Sequence, residues 1–580
     1  MSHSQSPHGK FRSYLAIAAT ALLLNACGGS NDKVSDDKQS TDKSTAPANA
    51  SSKELNIGFT QYPSTMHPNI ESMVAKSYIR GMTARAITIF NHDWELQCSL
   101  CVELPTIENG MAVLEQTPEG TPGIAVTYEL PANASWGDGT PLTTKDIQFA
   151  YEVGRNQKTG ANNMEMYRRI YQLDILDQHR FTVHLNKVTF NYNVLGDFYP
   201  LPEHIERSIY EEDAYEYRHR TQYNANITNP GLWFGPYIVS DAAQGSFLVM
   251  TKNPHWHGKA PYFEKITTKA IGNTSAMEAN LLSGTIDMIA GELGLQLDQS
   301  LAFESRHGSK YNIIYKPGLQ YEHIDVNLEN PILANKQVRQ AMLYGMDREE
   351  MNQRIFSGRQ PVADTSVSPM DRSASDNIRR YSYNKDKAMA LLDSAGWTDI
   401  RDGIRHNAAG EPLKIEIMST AGNKTRELIQ QILQSQLKDI GIDLRIRNEA
   451  PRVFFGQTTR ERRFSGLALF AWVGAPENVP RSTLHSTEIP TAENNYSGQN
   501  YSSISNPQLD SAIEAVEQNL VFADRLPHWE TIQQIYAEEL PVLPLFWRPN
   551  SFILPHWLKG LEPTGHLDSS TNWIEYWSRD

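Results

Sequence analysis

LKIEIMSTAGNKTRELIQQILQSQLKDIGIDLRIR, residues 413–447, holds three elements in a row. Leu413, Ile415 and Ile417 alternate with Lys414 and Glu416, the period of two that turns one face of a strand toward a core. Leu428, Ile429, Ile432, Leu433, Leu437 and Ile440 then recur on one helical face, and Gly441 supplies the stop. Ile442, Leu444 and Ile446 alternate again around Asp443 and Arg445. Strand, amphipathic helix and strand in this order form a βαβ unit, which almost always crosses over right-handed. The fold class read from the sequence is α/β.

Just downstream, FSGLALFAWVGAPENVP (464–480) is an apolar run with aromatic members that stops at Gly474 and Pro476. It reads as a buried strand opening into a loop. Loops at strand ends are where α/β proteins place binding groups, so Trp472 and the loop after it are expected to form one wall of a ligand cleft.

The N-terminal half alternates similar signals. Leu55–Phe59, Ala125–Leu130, Phe181–Leu185, Phe247–Met250, Thr285–Ile289 and His323–Asn327 read as strands. Helices are expected from the Thr143/Asp146 capping box onward, over Ala276–Leu282 before Gly284, and over Val338–Gly345, with Asp347 capping the next. Asp138, between Gly137 and Gly139, is a turn residue rather than a catalytic acid.

A chain of 580 residues calls for two or three domains, and 40% hydrophobic content fills real cores. A formal charge of -14 argues against a general nucleic-acid binder, which needs clustered Lys and Arg. Residues 1–26 read as a signal peptide: Lys10 and Arg12 precede the apolar run Tyr14–Leu24, too short to span a membrane. Leu24-Asn25-Ala26-Cys27 resembles a bacterial lipobox, with Cys27 the lipidated first residue, though Asn25 is a less usual member. Cleavage there removes two positive charges and takes the formal charge from -14 to -16. Residues 27–53 are then a lipidated Cys and a polar, flexible tether. Cys98 and Cys101 read as a local disulfide in an exported chain, with two free thiols as the alternative.

Catalytic signatures are missing. G-x-S-x-G, H-E-x-x-H and the phosphate loop do not occur, and Ser382-x-x-Lys385 and Ser435-x-x-Lys438 lack their companion motifs. His255-Trp256-His257 has no acidic or Cys partner nearby, so no metal and no cofactor is expected.

The blocks WELQCSLCVELPT, WGDGTPLTTKDIQFAYE, FGPYIVSDAAQGSFLVMTKNPHWHGKAPYFEKI, HIDVNLENPILANKQVRQAMLYGMDREEM, KAMALLDSAGW and AEELPVLPLFW resemble the family 5 extracellular solute-binding proteins of ABC importers. This is the oligopeptide, dipeptide and nickel group, and the blocks follow its order from Leu55 to the C-terminus. The resemblance implies a type II periplasmic-binding-protein fold: lobe I from 54–87, 232–316 and 541–580, an inserted domain II over 88–231, and lobe III over 317–540. It also implies a hinge near Lys316 and Leu540, with ligand enclosed as the lobes close.

In peptide-binding relatives the cleft strand carries an Arg and, after a Trp, an Asp for the peptide's ammonium. Alignment on Trp472 puts Leu469 and Ala475 at those positions, so both charges are missing and Glu477 is the candidate substitute. An ammonium buried without a carboxylate would cost several kcal/mol. The ligand-binding candidates are Gln61, Tyr62, His67, Tyr321, His323, Arg452, Trp472, Gly474, Ala475 and Glu477. One of Tyr321 and His323 is expected to point into the core.

The function expected from the resemblance is a lipoprotein of the periplasm or cell envelope that captures peptides or peptide-like solutes and delivers them to an ABC permease. It is expected to work as a monomer and not as an enzyme. The alternatives are a binder of a nickel chelate, opine or sugar in the same fold, or a cell-envelope hydrolase.

Overall fold

Strands Lys414–Met418 and Asp443–Ile446 pair in parallel, Ile415 opposite Leu444, with helix Lys424–Lys438 crossing between them. Asn423 caps that helix by accepting from Arg426 N–H at 3.1 Å, and Ile429, Leu433 and Leu437 are buried beneath it. The βαβ unit forms as read. The computed structural model describes residues 53–70, 73–161, 164–450, 453–493, 496 and 498–580; the expected signal peptide, Cys27 and Arg452 lie outside them.

The unit lies at one edge of a sheet whose ten described strands run in the order 443–446, 414–418, 467–473, 312–326, 542–554, 288–289, 54–59, 265–270, 247–252 and 237–243. Parallel pairs occur at the 443–446 edge, where 414–418 also runs parallel to 467–473, and around Glu54–Phe59, which pairs in parallel with Lys265–Ala270 and Met288–Ile289; the far edge, 265–270 with 247–252 and 237–243, is antiparallel. The centre is antiparallel. Asn312–Val326 and Val542–Leu554 run against each other from Asn312↔Leu554 to Asp325↔Val542. These two long strands serve two cores. Leu543, Leu545, Phe546, Ile324 and Val326 pack with the helices of the 336–446 region, whereas Phe552 and Leu554 pack with Leu55, Ile57 and Phe59.

The chain therefore crosses between the halves inside continuous strands. The register between the two long strands shifts at Lys316–Gln320, opposite Arg548–Asn550. Leu540 ends helix Phe522–Glu539 in a left-handed conformation (φ 47°). A second sheet of four strands, 112–116, 122–129, 180–185 and 170–175, is antiparallel throughout and belongs to the inserted segment. Its core is continuous with that of the first half, through contacts such as Trp136 edge-on to Phe234 at 4.9 Å. Of the strand expected over Thr285–Ile289 only Met288–Ile289 pairs, because Gly284 turns at φ 75° just before it.

Candidate functional site

Directly opposed residues on neighbouring strands share a face. The register of 312–326 against 467–473 thus sets three rows on one side of the sheet: Tyr321 with Trp472, His323 with Phe470, and Asp325 with Ala468. Tyr321 lies opposite Trp547 on its other flank. Tyr321 and His323 are two apart, so both point the same way and neither turns to the opposite core. The opposite face holds Glu322, Ile324 and Leu469; the last is fully buried in the core of that half.

Aromatic rings cover the first face. Tyr321 stacks on His323 at 5.0 Å and on Trp547 at 4.9 Å, and its hydroxyl meets that of Tyr536 at 2.5 Å. Phe470 stands edge-on to His323 at 4.5 Å and to Trp472 at 5.3 Å. Trp472, half-buried, stacks on Tyr501 at 6.2 Å. Trp94 from the inserted segment packs beside Tyr321 and Trp547 while donating to Thr564 O at 3.1 Å.

Two ionisable groups are set into this face. His323 Nδ1 lies 3.0 Å from the Tyr321 carbonyl, which puts the ring proton on Nδ1 and leaves Nε2 an acceptor. Nε2 makes no hydrogen bond and stands 3.5 Å from Asp325 Oδ1. Burial pushes the Asp325 carboxyl up to about 8 and holds His323 down at about 4, despite the Tyr321 carbonyl acting the other way. At neutral pH the pair is an uncharged imidazole facing a carboxylic acid. Glu322, one residue away on the other face, shows the contrast. Burial works to raise it, but Arg426 at 2.5 Å and Arg548 at 3.0 Å outweigh burial and hold it at about 2.

The other sequence candidates divide. Glu477 is already held between two guanidiniums: Arg525 Nη2 donates to Oε2 at 2.9 Å, and Arg372 bonds Oε1. Its N–H donates to Asp371 Oδ2 at 2.8 Å, in a left-handed turn with φ 50°. Gly474 N–H donates to Leu319 O at 2.9 Å and Ala475 is half-buried beside it. His67 is a core residue: fully buried, it accepts from Asn69 N–H and bonds Tyr217 through Nε2 at 3.1 Å. Tyr62 packs against the first core and Gln61 is exposed. Asp325, Tyr501, Tyr536 and Trp547 were not among the sequence candidates; the alternation His323-x-Asp325 was the one local signal for Asp325.

Residues 115–490 match the model of the bacterial extracellular solute-binding proteins, family 5 Middle. The chain belongs to this family. The oligopeptide-binding protein AppA of Bacillus subtilis is 23% identical over 555 residues, covering 94% of each chain. The nickel-binding periplasmic protein of Escherichia coli is 26% identical over 262 residues, covering 44% of this chain and 48% of that one. The oligopeptide-binding protein of Thermus thermophilus, solved with a pentapeptide, superposes with a TM-score of 0.74 at 27% identity, covering 90% of this chain and 96% of that one. As a family 5 solute-binding protein the chain has the periplasmic-binding fold with its two halves joined through the central strands. Among the described residues no helix is long and apolar enough to cross a membrane.

Proposed function

We propose that this protein is the receptor of an ABC importer that takes up peptides or peptide-like solutes, binding them against the Trp472 face and delivering them to the membrane permease. The observation that supports it most is the site itself: half-buried Trp472, leaning on buried Tyr501, caps a row of rings on the strand that crosses between the halves. Aromatic faces accept side chains of many kinds, and a strand end opening into a loop suits an extended backbone. The relatives named for oligopeptides, one of them solved with a pentapeptide, point the same way.

The halves close about the crossing at Lys316–Gln320 and Arg548–Asn550, so that affinity arises from enclosure, with no chemistry performed on the ligand. Lipid on Cys27 holds the protein at the membrane on its tether, each buried CH₂ contributing about 0.8 kcal/mol. Native mass spectrometry of gently purified protein tests the reading. A co-purified mixture of peptides is expected; a bound metal chelate would transfer the protein to the nickel-binding group.

A further inference from the structure

Every buried carboxylate needs a reason for the charge it gives up to burial or the cation it keeps. Glu322 keeps Arg426 and Arg548, and Glu477 keeps Arg525 and Arg372. Asp325 keeps none. It is 4% exposed, makes no hydrogen bond among the described residues, and stands 3.5 Å from His323 Nε2, itself without a hydrogen bond among them.

The residue across the ladder is Ala468, the smallest of the three on that face of its strand, buried in one cluster with Met418, Phe454, Phe464 and Tyr501. The other flank is Val542. Burial raises the Tyr501 and Tyr536 phenols, and Asp325 stands near enough to both to add to that rise. The groups around it are His323 and Tyr321 on its own strand, Tyr536 from helix Phe522–Glu539, and Tyr501. Arg460 acts on Tyr501 from further out, and Glu322 and Arg426 act on His323 from the far face. Among the described residues no cation reaches the carboxyl.

We propose that Asp325, set beside Tyr501, Tyr536 and His323, is the residue that receives a cationic group of the ligand. As the cation enters, the O–H bond of the Asp325 carboxyl breaks, its proton passes to solvent, and the carboxylate pairs with the cation; His323 stays neutral. The inference rests on the peptide reading above. It assigns the ammonium recognition to Asp325 because Glu477 is occupied by arginines. The cation is either the α-ammonium of a peptide or a Lys or Arg side chain.

Titration calorimetry of the full-length protein at neutral pH, in two buffers of different ionisation enthalpy, separates these. Three pentapeptide pools serve as probes: free-amine without Lys or Arg, N-acetylated with Lys and Arg, and N-acetylated without either. Wild type is expected to bind a cationic pool with release of about one proton per ligand. Asp325→Asn is expected to weaken that pool by about tenfold or more and to release no proton, leaving the uncharged pool unchanged. Loss confined to the free-amine pool assigns the α-ammonium; loss confined to the acetylated cationic pool assigns a side chain. Asp325→Ser removes the carboxyl with a smaller side chain, so it tests the same site should the Asn variant fold poorly, and a comparable loss is expected. Cationic pools that bind wild type and both variants alike, with the same proton count, overturn the assignment while leaving the peptide reading intact. No binding of any pool by wild type overturns the peptide reading and the assignment with it.

Discussion

Arg525 and Glu477 form an ion pair of 2.9 Å at the foot of the loop that follows Trp472, with the arginine side chain 4% exposed and the glutamate 13%. The pair fixes the loop rather than waiting for a ligand. Burial lowers the Arg525 pKa, Glu477 raises it again, and the ring of Phe190 lies under the guanidinium at 4.1 Å. Glu477→Gln leaves that guanidinium buried with a neutral partner. The expected outcome in thermal or urea unfolding is a loss of about 2–4 kcal/mol, with free-amine and N-acetylated peptides affected equally. A selective loss of free-amine peptides would return Glu477 to the role of ammonium partner.

Asp325 and His323 give stability opposite slopes with pH. Asp325 titrates near 8 in the folded chain and near 3.9 unfolded, so between those values the folded state holds the extra proton and stability falls as pH rises. His323 titrates near 4 folded and near 6.5 unfolded, so its contribution is present above 6.5 and lost as pH falls toward 4. Asp325→Asn removes the first slope. Its melting temperature should match wild type near pH 5 and exceed it by about 3–4 °C near pH 8. A variant equally destabilised at both values would contradict the protonated pair.

The inserted segment holds the other half through Phe190. Its N–H donates to Glu517 O at 2.9 Å, its ring packs against the cluster around Trp529, and Lys187 reaches the Glu517 carboxylate at 2.9 Å. Phe190→Ala is expected to cost about 1–3 kcal/mol in unfolding experiments. Lys187→Ala removes a partly exposed pair and is expected to change stability by less than about 1 kcal/mol, with an effect that shrinks further in high salt.

Trp472 bears on binding more than on folding, since its ring is only half-buried and leans on Tyr501. Trp472→Ala should weaken peptide binding about 10- to 100-fold in calorimetry. Its melting temperature should stay within about 2 °C of wild type. A large fall in melting temperature with unchanged affinity would make the ring a packing element.

The elements with their own period were legible from sequence. The βαβ unit of 414–446 and the Thr143/Asp146 capping box, whose carboxylate accepts from Thr143 N–H at 2.9 Å, needed only local rules. Strand Asn312–Val326 was read only over its last residues because Pro317 and Gly318 interrupt the alternation, and they sit where the ladder itself shifts between Lys316 and Gln320. The change of core along Val542–Leu554 was hidden for a related reason: one apolar run supplies two cores, and no local pattern marks where one gives way to the other. The site was legible in its ring residues Trp472 and Tyr321. Its charges were not, since Glu477 is satisfied by Arg372 and Arg525 from distant segments, and nothing local shows that the cations reach Glu322 and not Asp325.

Titration calorimetry of the full-length protein with a free-amine pentapeptide pool, set beside a nickel–histidine complex, tests the receptor assignment most directly. One peptide bound per protein, with the nickel complex silent, is the expected result. Binding of the nickel complex alone, or of neither, would contradict a peptide receptor built on the Trp472 face.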